Sequence, residues 1–427
     1  MNAPASPFPS TPASDSLAGT ANALPYEYYE RMREKGEVVW DEGMKAWVVT
    51  SIDAARHVLR NDKVLFNHGL QELDRDMVSV IAGGENIVMM TGERHTKMHQ
   101  WFIKALSPPT IEKWRGALIK PVAAHLVDRF AARKDADGIG RAELVDDVAE
   151  TLPSRVIAAT LGFEWRDDAF IEHCKALMKE LNGFFNNILT KDEKIITAAQ
   201  DASREFIHIL MPTVRERSAG TGDDLISMIW RGGRELYGEF TDEDVFAEVR
   251  TMFFAGSDTT THAISNAFYL LLSNPEWLDR VTKNMRAGED KELTAFVEEA
   301  LRLYGAIHFR VRKALEDSEV AGVQIKKGDT VLVALSAANR DPKHFGCPMQ
   351  IDTARANRTH HMTFHFGPRA CVGAGLARAN LQEAVREVLT RCPDLRLDPG
   401  AAAPAFLGFG VRCWRPLNVL FTPESKH

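Results

Sequence analysis

The chain has 427 residues, 45% apolar and 26% charged, which excludes low-complexity and fibrous classes and fits an ordinary globular protein. Its formal charge of −7 excludes a global positive field that would gather nucleic acid or anionic lipid. The longest apolar runs are far too short to span a bilayer, so neither a membrane nor nucleic acid is an expected partner.

Residues 1–22 are rich in Ala, Ser, Pro and Thr, a composition that cannot bury a core, and are expected to form a disordered tail. The remainder, 23–427, shows no linker and no repeat and reads as one large domain. Helical periodicity predicts helices over 25–35, 52–60, 93–105, 110–132, 142–161, 167–182, 192–218, 242–273 and 293–304. Asn274-Pro275 ends the long central one. Short strand patterns lie at 38–40 and 47–50 around Gly43, and at 319–320 and 330–333 around Gly322 and Gly328. The expected fold class is mainly α with a small β-rich side.

Five cysteines, Cys174, Cys347, Cys371, Cys392 and Cys413, include no Cys-x-x-Cys pair. That argues against a disulfide framework or a zinc site and for a reducing, cytoplasmic setting. No charged-then-apolar leader is read at the N-terminus.

One cysteine stands out. In Phe364-His-Phe-Gly367-Pro-Arg369-Ala-Cys371-Val-Gly373, Cys371 sits at the start of an apolar helical pattern over 372–390. Free N–H groups and the positive end of the helix dipole favour a thiolate there. An isolated cysteine is more often a small buried hydrophobe; the flanking Phe364, Gly367, Arg369 and Gly373 reverse that reading. Upstream, Glu299-Ala-Leu-Arg302 places two charges on one helix face, which alone would be a common surface pair. Ala255-Gly256-Ser257-Asp258-Thr259 interrupts an apolar helix with a weak helix former, an acid and a hydroxyl that can bond back to a carbonyl. His95 and His99 share a helix face, but no Glu or third ligand accompanies them as zinc chemistry would need.

Together these segments resemble the cytochrome P-450 superfamily, in order, from about residue 24 to 421. The resemblance implies a haem b whose iron is held by Cys371, the metal ligand. It implies that Glu299, Arg302 and Arg355 form a structural network, with Arg358 as the alternative third member. It assigns cofactor contacts to His95, His99, Ala255, Gly256, Arg312, Phe364, Gly367, Arg369 and Gly373. Asp258 and Thr259 become the catalytic pair, relaying protons and bonding the oxygen being activated. His365 stands where many relatives carry Gly.

By position, the variable substrate contacts fall on Val78, Ile81, Val88, Leu181, Phe184, Phe185, Phe253, Ile307, Phe406 and Leu407. Singly, such residues are usually core; together they predict a compact, aromatic-rich, uncharged cavity. The expected activity is monooxygenation, using O₂ and two electrons to hydroxylate or O-demethylate a small apolar aromatic or terpenoid substrate. With no reductase in the chain, a separate ferredoxin and its NAD(P)H-dependent reductase are the implied electron donors to a monomer. A basic face of Lys97, His99, Lys104, Arg358, His360, His361, His365 and Arg369 would receive them. An H₂O₂-driven peroxygenase is the alternative, against which Asp258 and Thr259 speak. A haem sensor is another, and nothing here resembles an output domain.

Overall fold

The structure is a computed structural model and describes residues 10–68, 81–186 and 192–423. The helices that position the site are α1 (Tyr26–Lys35), α2 (Ile52–Arg60), α3 (Gly92–Ala105), α4 (Thr151–Leu161), α5 (Asp168–Asn186), α6 (Glu193–Glu216), α7 (Leu225–Tyr237), α8 (Asp242–Leu272), α9 (Asp290–Leu303) and α10 (Ala374–Arg391). Most of them share one large apolar core.

Helix α8 runs through that core for 31 residues. It opens on a capping box between Thr241 and Asp244, with three acids in its first turn to meet the positive helix end. It is apolar on nearly every side, as a helix surrounded by protein must be. Its central residues 254–256, 258 and 259 break that burial.

A six-stranded sheet forms the β side. Its strands are β1 (Ser10–Thr11), β2 (Val38–Asp41), β3 (Ala46–Val49), β4 (Phe66–His68), β5 (Arg310–Ala314) and β6 (Thr330–Val333), in the spatial order β1-β2-β3-β6-β5-β4. β5 pairs antiparallel with β6, setting Arg310 opposite Val333 and Arg312 opposite Val331. A two-stranded hairpin, β7 (Ala405–Gly408) with β8 (Arg412–Arg415), packs by the C-terminal half of α8. Among the described residues, no helix is long and apolar enough to cross a membrane.

Three differences from the sequence reading have physical causes. Residues 10–22 are not a loose tail: Ser10–Thr11 pairs with Trp40–Asp41, Leu17 is fully buried, and its N–H donates to Asp41 Oδ2 at 2.8 Å. Helix α7 escaped detection because Gly232 and Gly233 lower its propensity. A Cβ there would lie 2.0 Å from Trp101 and 2.2 Å from Phe240, so these glycines serve packing. Strand β5 reads as polar because Arg310, Arg312 and Lys313 dominate it, and the reason for those cations lies in the site.

Candidate active site

The loop before α10 is built to present one sulfur. The Cys371 N–H donates to the Phe364 carbonyl at 2.9 Å and the Ala370 N–H to the Gly367 carbonyl at 3.0 Å, closing the loop on itself. Gly367 has φ +73°, and a Cβ on it would lie 2.8 Å from the Leu59 carbonyl. His365 adopts φ +66°, the left-handed region that explains glycine at this place in relatives. Its Nδ1–H donates to the Phe366 carbonyl at 2.9 Å, and Nε2 accepts from Arg312 Nη2 at 2.7 Å. Burial and the neighbouring arginines hold the His365 pKa well below its usual value, so the ring is neutral.

Cys371, Arg310 and mid-helix Ala255 all keep accessible surface. Yet burial lowers the Arg310 pKa and raises that of the Cys371 thiol. The two facts agree if the surface belongs to an enclosed chamber rather than to the outside. For the bare thiol, burial outweighs the Gly373 N–H and the Arg310 and Arg378 cations that favour the thiolate. A coordinated metal ion deprotonates a thiol outright and would reverse that balance.

Behind the loop, Glu299 and Arg302 are fully buried and joined by two bonds of 2.8 Å. Arg302 also donates to the carbonyls of Asn339, Pro348 and Gln350. Arg355 Nε lies 3.3 Å from Glu299 Oε1, making it the third member. Arg358 instead donates to the Arg355 carbonyl.

A haem carries two propionate carboxylates, and the structure offers a place for them. Lys63, Arg312 and Arg369 gather on a single buried carboxylate, Asp62, with Arg369 Nε at 2.8 Å and Arg312 Nε at 3.6 Å. His95 is buried with Nδ1 2.9 Å from Lys63 Nζ, and its ring lies 5.3 Å from that of His99. His99 Nε2–H donates to the Ala370 carbonyl at 2.8 Å. This cationic excess against one carboxylate, beside an enclosed thiol, fits the group. Asp62, Lys63 and Arg310 were not foreseen. Lys63, Asp62 and Arg310 carry no motif, and only the fold brings Arg310 within electrostatic reach of Cys371.

On α8, the Thr259 hydroxyl donates to the Ala255 carbonyl at 2.8 Å. Asp258 is half-buried, and its carboxylate lies 3.6 Å from His262 Nδ1. Burial disfavours the His262 cation, but Cys413 and Asp258 outweigh it and push the pKa up to about 9.

The expected substrate contacts divide. Val88 and Leu407 are exposed and Ile307 is half-buried. Ile81, Leu181, Phe184, Phe253 and Phe406 are buried side chains of the core, with Phe253 packed near Phe163 and Phe206. Half-buried Phe254, next to Ala255, is the better candidate on α8. Val78 and the side chain of Phe185 lie outside the described residues. Arg310, which the sequence reading did not name, brings a cation within electrostatic reach of Cys371. The basic face is also smaller than expected. His361 is buried against Glu298, Arg369 turns to Asp62 and His365 to Arg312, while Lys97, Lys104 and His360 stay exposed.

A family profile described as Cytochrome P450 matches residues 16–402. The cytochrome P450 monooxygenase PikC of Streptomyces venezuelae is 30% identical over 381 residues, covering 88% of this chain and 86% of PikC. P450BioI, solved with an acyl carrier protein ligated to hexadec-9Z-enoic acid, superposes with a TM-score of 0.80 at 26% identity over 93% of this chain and 98% of that one. Cytochrome P450 CREJ, solved with (4-ethylphenyl) dihydrogen phosphate, superposes with a TM-score of 0.77 at 26% identity over 93% and 97%.

Proposed function

This chain belongs to the cytochrome P450 family, a monooxygenase with haem b, and we propose that Cys371 ligates the iron and that the substrate is a small aromatic compound. The carrying observation is the accessible Cys371 on a loop closed by its own backbone bonds, backed by the Glu299–Arg302–Arg355 network. When bound, the haem supplies the oxygen-activating chemistry; thiolate ligation favours O–O cleavage.

The chain's own residues do the rest. Arg312, Arg369, Lys63, His95 and His99 hold the propionates, and Asp62 keeps the two arginines in place. Ala255 and Gly256 leave room on α8 for a small molecule. Thr259 offers a hydroxyl and Asp258 a carboxylate beside that room. Reductive cleavage of O₂ consumes two protons, so groups of these types are needed there. The Asp258–Thr259 pair also favours the O₂-dependent reaction over a peroxide-driven one. Val88, Phe254, Ile307 and Leu407 form the apolar wall. The ligand of CREJ, a single ethyl-substituted ring carrying a phosphate, supports a substrate built on one ring over a terpenoid. Hydroxylation and O-demethylation both remain within this reading. A separate ferredoxin pair delivers the electrons, with Lys97, Lys104 and His360 as the exposed cations that would steer it.

The test is optical. The reduced CO complex should absorb at the long wavelength of thiolate ligation, and Cys371→Ala should abolish that band. A histidine-type spectrum in the wild-type protein would overturn the ligand assignment.

A further inference from the structure

Four arginines are among the largest fully buried side chains: Arg155, Arg250, Arg302 and Arg412. Three meet a carboxylate or several carbonyls, although Arg155 Nε has no hydrogen-bond partner. Arg155 meets Asp168 and the Trp165 carbonyl. Arg302 meets Glu299 and three carbonyls. Arg412 meets the carbonyls of Thr20, Ala23 and Phe409 and the Thr20 hydroxyl. Arg250 is different. It donates to one acceptor, the Ile81 carbonyl, and its buried Nε has no partner. Among the described residues, no carboxylate lies within ion-pair distance of it. Glu248, two residues earlier, supplies no counter-charge at neutral pH, because burial pushes its carboxyl up to about 8. Burial likewise draws Arg250 down to about 9, which still leaves it a cation at pH 7. A buried, unpaired charge is costly to keep.

Its position suggests a reason. Arg250 lies one helical turn before Phe254, on the same face of α8, and Phe254 adjoins exposed Ala255. The rise from Arg250 to Phe254 is about 6 Å at ~1.5 Å per residue, roughly the length of one benzene ring. On its other side Arg250 supports the segment 81–83. A Cβ on Gly83 would meet Arg250 Nε at 2.9 Å and Phe246 at 2.8 Å. Gly83 and Phe246 wall a cavity of about 470 Å³ together with Ile207, His208 and Met211. Arg250 thus backs Gly83, a wall of that cavity, one helical turn before Phe254.

We propose that Arg250 anchors a carboxylate of the substrate, making this chain selective for small aromatic acids over their neutral analogues. The inference rests on the aromatic-substrate reading above and names its charge.

The test uses the haem-loaded full chain and four aromatic acids: benzoate, 4-ethylbenzoate, cinnamate and 2-naphthoate. Each is titrated beside its primary amide, which has nearly the same shape and no charge. Soret shifts give the affinities, and thermal midpoints give a second readout that does not depend on the haem spectrum. At least one acid should bind tenfold or more tightly than its amide and raise the wild-type midpoint. Arg250→Gln should remove that preference, leave the amide's affinity within about twofold, and abolish the acid-induced rise. Arg250→Lys should keep part of it. If no acid outcompetes its amide in the wild-type protein, or if Arg250→Gln retains the preference, the anchor is wrong. A thiolate-type CO spectrum on the same preparation separates that failure from failure of the haem reading.

Discussion

The cysteine side and helix α8 each bury a glutamate and treat it in opposite ways. On the cysteine side, both oxygens of the buried Glu299 are engaged, Oε1 by Arg302 and Arg355 and Oε2 by Arg302 and the Asp352 N–H at 2.9 Å. On the α8 side, the Ser257 hydroxyl, both Glu248 oxygens and Arg250 Nε are buried without hydrogen-bond partners. Buried polar groups are normally satisfied, so a cluster of exceptions calls for an explanation. The contrast separates two tasks. A metal ligand needs a rigid seat, and the pairing of both Glu299 oxygens contributes to it, although Arg355 Nη2 and Arg312 Nε on this side are buried without hydrogen-bond partners. A surface across which protons and substrate move needs groups that are not already committed.

The sharpest way to break this contrast is on the cysteine side. Glu299→Ala leaves Arg302 charged, fully buried and without its carboxylate. Stranding one member of such a pair costs ~3–5 kcal/mol, comparable with the whole stability of many domains. The variant should lose haem or fail to fold, read by haem content and urea unfolding. A stable, haem-replete Glu299→Ala protein would show that the carbonyls around Arg302 carry the seat alone.

That side was also the more legible in the sequence. Glu299, Arg302 and Cys371 sit in short motifs whose spacing survives any change in the surroundings. Long helices such as α8 announced themselves by periodicity. The other side was harder to read. Leu181, Phe184 and Phe253 are apolar residues on helices, and periodicity cannot say whether such a face meets a cavity or the core. Asp62, Lys63 and Arg310 come together through the pairing of β4, β5 and β6, which are distant in sequence. Arg250 carries no motif, and its lack of partners is a property of three-dimensional packing.

The α8 side can be tested through pH. Burial raises the Glu248 carboxyl from an ordinary value of 4.5 to about 8. Between those values the folded protein holds a proton that the unfolded chain has released. Stability should therefore fall as pH rises from about 4.5 to 8 and level off above, by at most ~1.4 kcal/mol per unit, a few kcal/mol in all. Glu248→Gln keeps the shape and removes the titration. Urea midpoints at pH 5 and pH 8.5 should differ less in the variant than in the wild type. Equal differences would mean that Glu248 finds a partner on ionising.

A smaller effect is expected at the catalytic pair. Asp258→Asn replaces the carboxylate by an amide that cannot relay a proton and should slow turnover by ~10²-fold, the lower range for general acid–base groups. Thr259→Ala deletes the hydroxyl bonded to the Ala255 carbonyl and should raise peroxide released per NADH severalfold without weakening substrate binding. A surrogate ferredoxin and reductase suffice for the peroxide assay. Unchanged coupling in both variants would take the pair out of the mechanism.

The smallest change sharpens the contrast most. Ser257 lies between Gly256 and Asp258, 6% exposed, and its hydroxyl has no partner. A buried hydroxyl that makes no bond forfeits its hydration without return, a cost of ~1–3 kcal/mol. Ser257→Ala removes the hydroxyl, breaks no bond and places a better helix former in α8. It should be neutral or stabilise the protein by up to ~1 kcal/mol, seen as an unchanged or higher urea midpoint with an unchanged slope. The same substitution at a satisfied serine would destabilise. Ser265, whose hydroxyl donates to the Trp414 carbonyl further along the same helix, is the control: Ser265→Ala should cost ~1 kcal/mol or more. Opposite signs at the two serines would show that α8 changes from uncommitted to saturated within eight residues. Equal losses would mean that Ser257 is bonded in solution, and the separation of tasks along the helix would not hold.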